Sequence, residues 1–253
     1  MVKRHELVAY LRELMCTDAI SDYCPNGLQV EGRPRIKRIL AGVTACEALL
    51  EEAEKWDACA VLVHHGYFWR GEPEPLVGMK GRRVARLIRA DQNLLAYHLP
   101  LDVHPTLGNN AQLAQRLGLK NVVAVEAGGT ADLLWHGVLP QAASLDAFAS
   151  TVAGVLDRVP TVVGAPTRGE VSRVGLCSGG AQRFLSQAAA LGVDVFLSGE
   201  ISEQTTHEAR ELGVGFLAAG HHATERFGVQ ALGEHLAKQF ALEYRFFDVP
   251  NPA

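Results

Sequence analysis

The chain lacks most of the features that mark a compartment or a partner at first sight. Its five cysteines, Cys16, Cys24, Cys46, Cys59 and Cys177, are odd in number and contain no C-x-x-C pair, which argues against a disulfide framework and a zinc knuckle and fits a reducing cytoplasm. No apolar run approaches the roughly 20 residues needed to span a bilayer. The opening MVKRHELVAYLRELM sets Glu6, Arg12 and Glu13 among its apolar residues, unlike a signal peptide. Nor is there an excess of positive charge. A formal net charge of −4 offers no overall attraction to a phosphate backbone, and the basic stretch Lys80–Gly81–Arg82–Arg83 reads first as a solvated helix face. Two catalytic signatures are missing as well. Gly175-Leu-Cys-Ser-Gly-Gly180 has no following Lys-Ser/Thr, so it reads as a tight turn rather than a P-loop. No G-x-S-x-G elbow surrounds Cys177 or Ser178 to make either a nucleophile.

What is present is an ordinary globular composition, 48% hydrophobic and 21% charged over 253 residues, enough for one large or two ordinary domains. Leu7, Leu11, Leu14 and Met15 predict an opening amphipathic helix. SDYCPNGLQVEG follows as a loop around the turn Pro25–Asn26–Gly27. Strands near 36–43, 58–63 and 93–97 then alternate with helices near 45–55, 81–90 and 110–117, the pattern of an α/β unit with a largely parallel sheet. After a glycine break at 127–130 the pattern restarts with a strand at 133–139, a helix at 145–156 and a strand at 161–163. The expected organisation is two similar α/β lobes with mixed, largely parallel sheets, residues 1–126 and 127–253, with a terminal strand free to return to the first lobe. GVTACEALLEEAEKWDACAVLVHH and GLCSGGAQRFLSQAAALGVDVFLSGE share one order of elements, and NLLAYHLPLD and VGFLAAGHHATE each place a carboxylate four residues after a His.

Ligands of open α/β sheets bind beyond the carboxyl ends of the strands. There the sequence places His64 and His65, His98 and Asp102, Glu200, and finally His221, His222 and Glu225. Imidazole mixed with carboxylate suits Zn, Mn, Fe or Ni better than Ca or Mg. His221 and Glu225, four residues apart at a helix start, share a face, although a glutamate there also stabilises the first turn through the helix dipole. Pro100 predicts a loop for His98–Asp102. Neighbours on a strand point to opposite faces, so His64 and His65 can both be ligands if the strand has ended and two ions are present, roughly 3.5–4 Å apart. His104, just past Asp102, is a candidate to line the same cleft.

Taken together, SDYCPNGLQVEG, GVTA, VHHGYFW, HLPLDVHPTLGNNAQL, SGEISEQTTHEAR and AAGHHATERFG resemble the GTP cyclohydrolase 1 type 2 homologue family, in its short YbgI-like bacterial branch. The resemblance implies two α/β lobes facing a metal cleft, two divalent ions per subunit (Zn, Fe, Mn or Ni), and a ring-shaped homohexamer. It assigns His64, His65, Asp102, His221 and Glu225 as metal ligands, with Glu225 the bridge and catalytic carboxylate, and His98 as lining the site, where His104, Glu200 and His222 are expected from their places beyond the strand ends. The function it implies is a metal-dependent hydrolase of a nucleotide-like small molecule, GTP ring opening being the named form. The competing expectation is a metal-stabilised ring that binds a partner, nucleic acid among the candidates, without turnover.

Overall fold

The computed structural model describes residues 1–253, which divide into two compact units: 1–108 with 228–250, and 109–227 with 251–253. Both are α/β units built on mixed sheets. No helix is long and apolar enough to cross a membrane.

The first unit holds a five-stranded sheet in the order Glu243–Phe246, Arg38–Thr44, Ala60–His65, Asn93–Ala96, Gly27–Val30. The first three pairings are parallel and the last is antiparallel. Parallel strands buried on both faces read as near-continuous apolar runs, as Ala60-Val-Leu-Val does. Their period of two deals alternate residues to two cores. Ile39, Ala41, Leu62 and Leu95 pack with Leu7 and Leu11 of the helix Arg4–Leu14 and with Val229, Leu232 and Leu236 of the helix His221–Phe240. Leu40, Val61, Val63 and Leu94 pack on the other face with Leu49, Leu50 and Ala53 of the helix Glu47–Lys55 and with Val84 and Leu87 of the helix Gly78–Arg89.

The second unit has a six-stranded sheet in the order Lys120–Ala127, Thr130–Ala143, Val171–Cys177, Val195–Ser198, Gly215–Ala218, Thr161–Val163. Its three central strands from Val171 to Ala218 are parallel, and its remaining pairings are antiparallel. Leu113, Trp135, Phe148, Val152, Leu156, Val174 and Leu197 form its main core.

Several elements depart from the sequence reading. The glycine break at 127–130, where the sequence suggested a division between lobes, is the turn of a hairpin. Ala127 pairs with Thr130, and Gly128 and Gly129 both take positive φ (60° and 83°), the backbone a two-residue hairpin needs to match strand twist. The strand Lys120–Ala127 escaped the apolar pattern because most of its side chains are exposed or half-buried. With it and the helix Asn109–Arg116, residues 109–126 lie in the second compact unit. The segment after His98 is not a loop either: Leu99–Val103 is a short helix with Pro100 in its first turn, where a missing N–H costs no helical bond.

Gly233, in the helix His221–Phe240, faces Tyr244, and a Cβ there would overlap the phenol ring. An exposed helical Gly→Ala change gains about 1 kcal/mol, whereas overpacking a fitted contact costs about 1–3 kcal/mol. Gly233→Ala is therefore expected to lower the urea midpoint. An unchanged or raised midpoint would show that the helix and the strand Glu243–Phe246 are loosely fitted.

Candidate metal centre

The strand Ala60–His65 runs through both histidines, with Thr44 opposite His65 in the parallel ladder. Alternation sends their Cβ atoms to opposite faces, yet their rings lie only 4.6 Å apart at the strand's carboxyl end. His98 joins them, its ring 5.0 Å from that of His64 and 5.8 Å from that of His65. Each of the three offers a ring nitrogen within 4.8 Å of the other two.

These imidazoles are held by their Nδ1 atoms. His64, fully buried, donates from Nδ1 to the main-chain oxygen of Tyr97 at 2.9 Å. A carbonyl can only accept, so Nδ1 carries a proton, and Nε2 is the nitrogen that holds the lone pair in the neutral ring. That Nε2 lies 3.6 Å from Oδ1 of Asp102, itself buried in the short helix after His98. His65 Nδ1 meets the Thr44 hydroxyl at 3.2 Å. His98 donates from Nδ1 to Asp22 at 3.0 Å, and its main-chain N–H donates to Asn26 Oδ1 at 2.7 Å. Burial pushes the Asp22 carboxyl up, but His98, the Asn26 amide and the Leu99 N–H together outweigh it and bring the carboxyl down to about 2. Asp22 is thus a fixed anion that orients His98.

In the second unit the start of the helix His221–Phe240 carries a second group of candidate donors. His221 and Glu225 lie one turn apart, with Nε2 3.1 Å from Oε1, and Glu200 accepts from His221 Nδ1 at 2.7 Å. Burial lowers the basicity of His221, but Glu225 and Glu200 outweigh it and raise the imidazole to about 9. Glu225 is only 3% exposed. Room for its carboxylate comes from the glycine-rich turn: Gly179, at φ +66°, would carry a Cβ overlapping Glu225 Oε1. Thr224 Oγ1 accepts from the Gly179 N–H at 3.0 Å, and Asn110 Oδ1 accepts from the Ser178 N–H at 2.8 Å, which fixes the turn.

The structure therefore assembles His64, His65, His98 and Asp102 in one unit, and Glu200, His221 and Glu225 in the other. Nδ1 anchored on a carboxylate, hydroxyl or carbonyl is the usual support of a metal-ligating histidine, since it sets the tautomer and aims Nε2. In the first unit His64, His65 and His98 so supported, beside the Asp102 carboxylate, and in the second His221 beside Glu225, are donors of the kind that suit a divalent transition-metal ion. His104 stands differently. Its Nδ1 accepts the N–H groups of Thr106 and Leu107, which closes a turn. The buried His222 donates its main-chain N–H to the oxygen of Ala253. The basic stretch is partly offset from within, as Lys80 faces Glu72, and Arg86 beyond it meets Glu47, Glu51 and Glu54. Sequence reasoning missed Asp22, Thr44, the Tyr97 carbonyl and Gly179. Asp22 left one signal, its place four residues before the Asn26 that hydrogen-bonds it.

The sequence profile of the Duf34/NIF3 (NGG1p interacting factor 3) family matches residues 2–252. The chain belongs to the Duf34/NIF3 family. Curated relatives carry the name GTP cyclohydrolase 1 type 2 homolog: one from Pseudomonas aeruginosa is 55% identical over 92% of both chains, and one from Pasteurella multocida is 50% identical over 98% of both. Among solved structures, the protein ybgI, described as of unknown function, superposes with a TM-score of 0.94 at 48% identity over the full length of both chains. A protein from Thermus thermophilus gives 0.90 at 35%, again over both full lengths. These solved structures share the mixed α/β fold described above.

The Gly179 contact yields a specific test in this Duf34/NIF3 chain. Gly179→Ala displaces the Glu225 carboxylate, whereas Gly169→Ala places the same residue at a positive φ (79°) with nothing near its Cβ. Elemental analysis should show Gly169→Ala retaining metal and Gly179→Ala binding it about 10–100-fold more weakly. Equal metal content in the two variants would remove Glu225 from the donor set.

Proposed function

We propose that the protein is a dinuclear divalent-metal-dependent hydrolase of a nucleotide or related small molecule, with GTP ring opening as its named form. The observation that carries this reading is the common state of four histidines, His64, His65, His98 and His221. Each is hydrogen-bonded at Nδ1 within its own unit, so Nε2 is the nitrogen it would turn to an ion. The names of the curated relatives support the choice of substrate class.

In this reading His64, His65 and Asp102 supply donors from one unit and His221 and Glu225 from the other, for two ions of Zn, Fe, Mn or Ni. A bound divalent ion lowers the pKa of water from 15.7 toward about 7 and so makes hydroxide available at neutral pH. The protein's own residues set the geometry. The Tyr97 carbonyl and the Glu200 carboxylate accept hydrogen bonds from Nδ1 of His64 and His221, so Nε2 is the nitrogen each ring would offer an ion, which at His221 would displace a proton shared with Glu225. Glu225, confined by Gly179 and one turn from His221, would be the carboxylate that helps hold both ions, so hydrolysis would depend on it. Assembly into a homohexamer belongs to the same proposal.

The test is a metal-reconstituted screen of GTP, other nucleotides and phosphodiesters, read by mass spectrometry. Turnover by the wild type is expected, with Asp102→Asn and Glu225→Gln losing both bound metal and activity by about 10²-fold or more while keeping their circular dichroism. Full metal retention in both variants would overturn the ligand assignment. Absence of turnover with every metal would leave a ring that binds a partner without chemistry.

A further inference from the structure

Beside the histidine cluster of the first unit, two aromatic side chains are left partly in solvent. Tyr23 is 49% exposed, and Trp69 is half-buried. Their rings lie 5.5 Å apart, tilted by 38°. Both stand edge-on to His98, each with its centroid 5.0 Å away, and Trp69 also lies 6.0 Å from His65. The pair thus forms an angled apolar wall against two of the imidazoles.

The loop that carries Trp69 is built to hold it there. Phe68, directly before it, takes φ +66°, a left-handed conformation costly for a bulky side chain. Such strain persists only where the surroundings enforce it, and it clusters at sites that bind or react. Here the Glu72 carboxylate accepts the N–H groups of both Phe68 and Trp69 at 3.1 and 3.3 Å, and the indole N–H donates to the Gly66 oxygen at 3.3 Å. Arg70 then ties this loop to the Tyr23 segment, its main-chain N–H donating to the Tyr23 oxygen at 2.7 Å. Its exposed guanidinium donates to the Asp22 main-chain oxygen at 3.3 Å and makes no ion pair with a carboxylate, so donors remain for an anionic ligand. A core-filling role would bury these rings. A strained loop that fixes an indole, a phenol and an exposed guanidinium around histidine edges has the chemistry of a ligand wall.

We propose that Trp69 and Tyr23 receive a planar aromatic ring of the substrate while Arg70 takes an anionic group of the same molecule, which makes the ligand a nucleotide or another acidic heteroaromatic. This deepens, and rests on, the assignment of the histidine cluster as the reaction site. Aromatic side chains accept bases through their π-faces with little dependence on sequence, and Arg adds charge and stacking.

Equilibrium binding separates this inference from the hydrolase reading because it needs no turnover. Titration calorimetry of the metal-loaded full chain, with a GTP analogue that mass spectrometry shows to stay intact and with inorganic triphosphate, should show the analogue binding at least about tenfold more tightly, the scale of one base stacked on an aromatic ring. Trp69→Ala should abolish that preference while leaving triphosphate affinity and metal per chain unchanged. Tyr23→Leu, which does not alter the strained loop, should reduce the preference as well. Arg70→Gln should weaken both ligands alike. Equal affinity of the wild type for the two ligands, binding of neither, or a preference that survives both Trp69→Ala and Tyr23→Leu would overturn the proposal. GTP turnover that is indifferent to Trp69 would overturn it while leaving the hydrolase reading in place.

Discussion

A main-chain carbonyl can accept a hydrogen bond but cannot donate one, and the geometry of the site depends on that asymmetry at Tyr97. The strands Ala60–His65 and Asn93–Ala96 run parallel with Val63 opposite Ala96, so the next residues on each, His64 and Tyr97, are neighbours across the ladder. Tyr97 donates its N–H to Val63 and accepts from His64 Nδ1, which continues the ladder through a side chain. The imidazole is thereby fixed in one tautomer with Nε2 aimed past the end of the sheet. The apolar runs that make the strands are thus also what prepare His64.

The second unit solves the same problem with a carboxylate. Its strand Val195–Ser198 ends just before Glu200, and Glu200 orients His221 at the start of the helix His221–Phe240. In both units the donors sit at the ends of regular elements, where packing locks them better than a free loop would. Glycine sets the remaining clearance. At Gly179 no other residue has both the left-handed backbone and the absence of a Cβ that the Glu225 carboxylate requires.

The alternation of strands and helices was readable in residue order because each buried strand is an apolar run of four to seven residues flanked by amphipathic helices. The histidines and carboxylates at strand ends were readable for the same reason, since the end of an apolar run marks the edge of a sheet. Three things were not. The strand Lys120–Ala127 exposes most of its side chains, so its antiparallel pairing left no hydrophobic period, and the Gly128–Gly129 hairpin turn looked like a boundary. Pro100 breaks a helix interior but fits a first turn, and residue order alone does not say which of the two it occupies. Asp22, Thr44 and the Tyr97 carbonyl act through contacts 21 to 76 residues away in sequence, and no local pattern announces such a partner. The adjacent histidines carry a related lesson: alternation governs Cβ directions, whereas rings at a strand's end can still lie 4.6 Å apart.

The central claim is that His64 and His65, neighbours on one strand, serve two different ions. Anomalous X-ray diffraction from metal-loaded crystals, collected on either side of the absorption edge of the added metal, measures this directly. The account predicts two anomalous peaks per chain roughly 3.5–4 Å apart, one within bonding distance of His64 Nε2 and the other of a His65 ring nitrogen. A single peak shared by both histidines, or peaks remote from them, would contradict it.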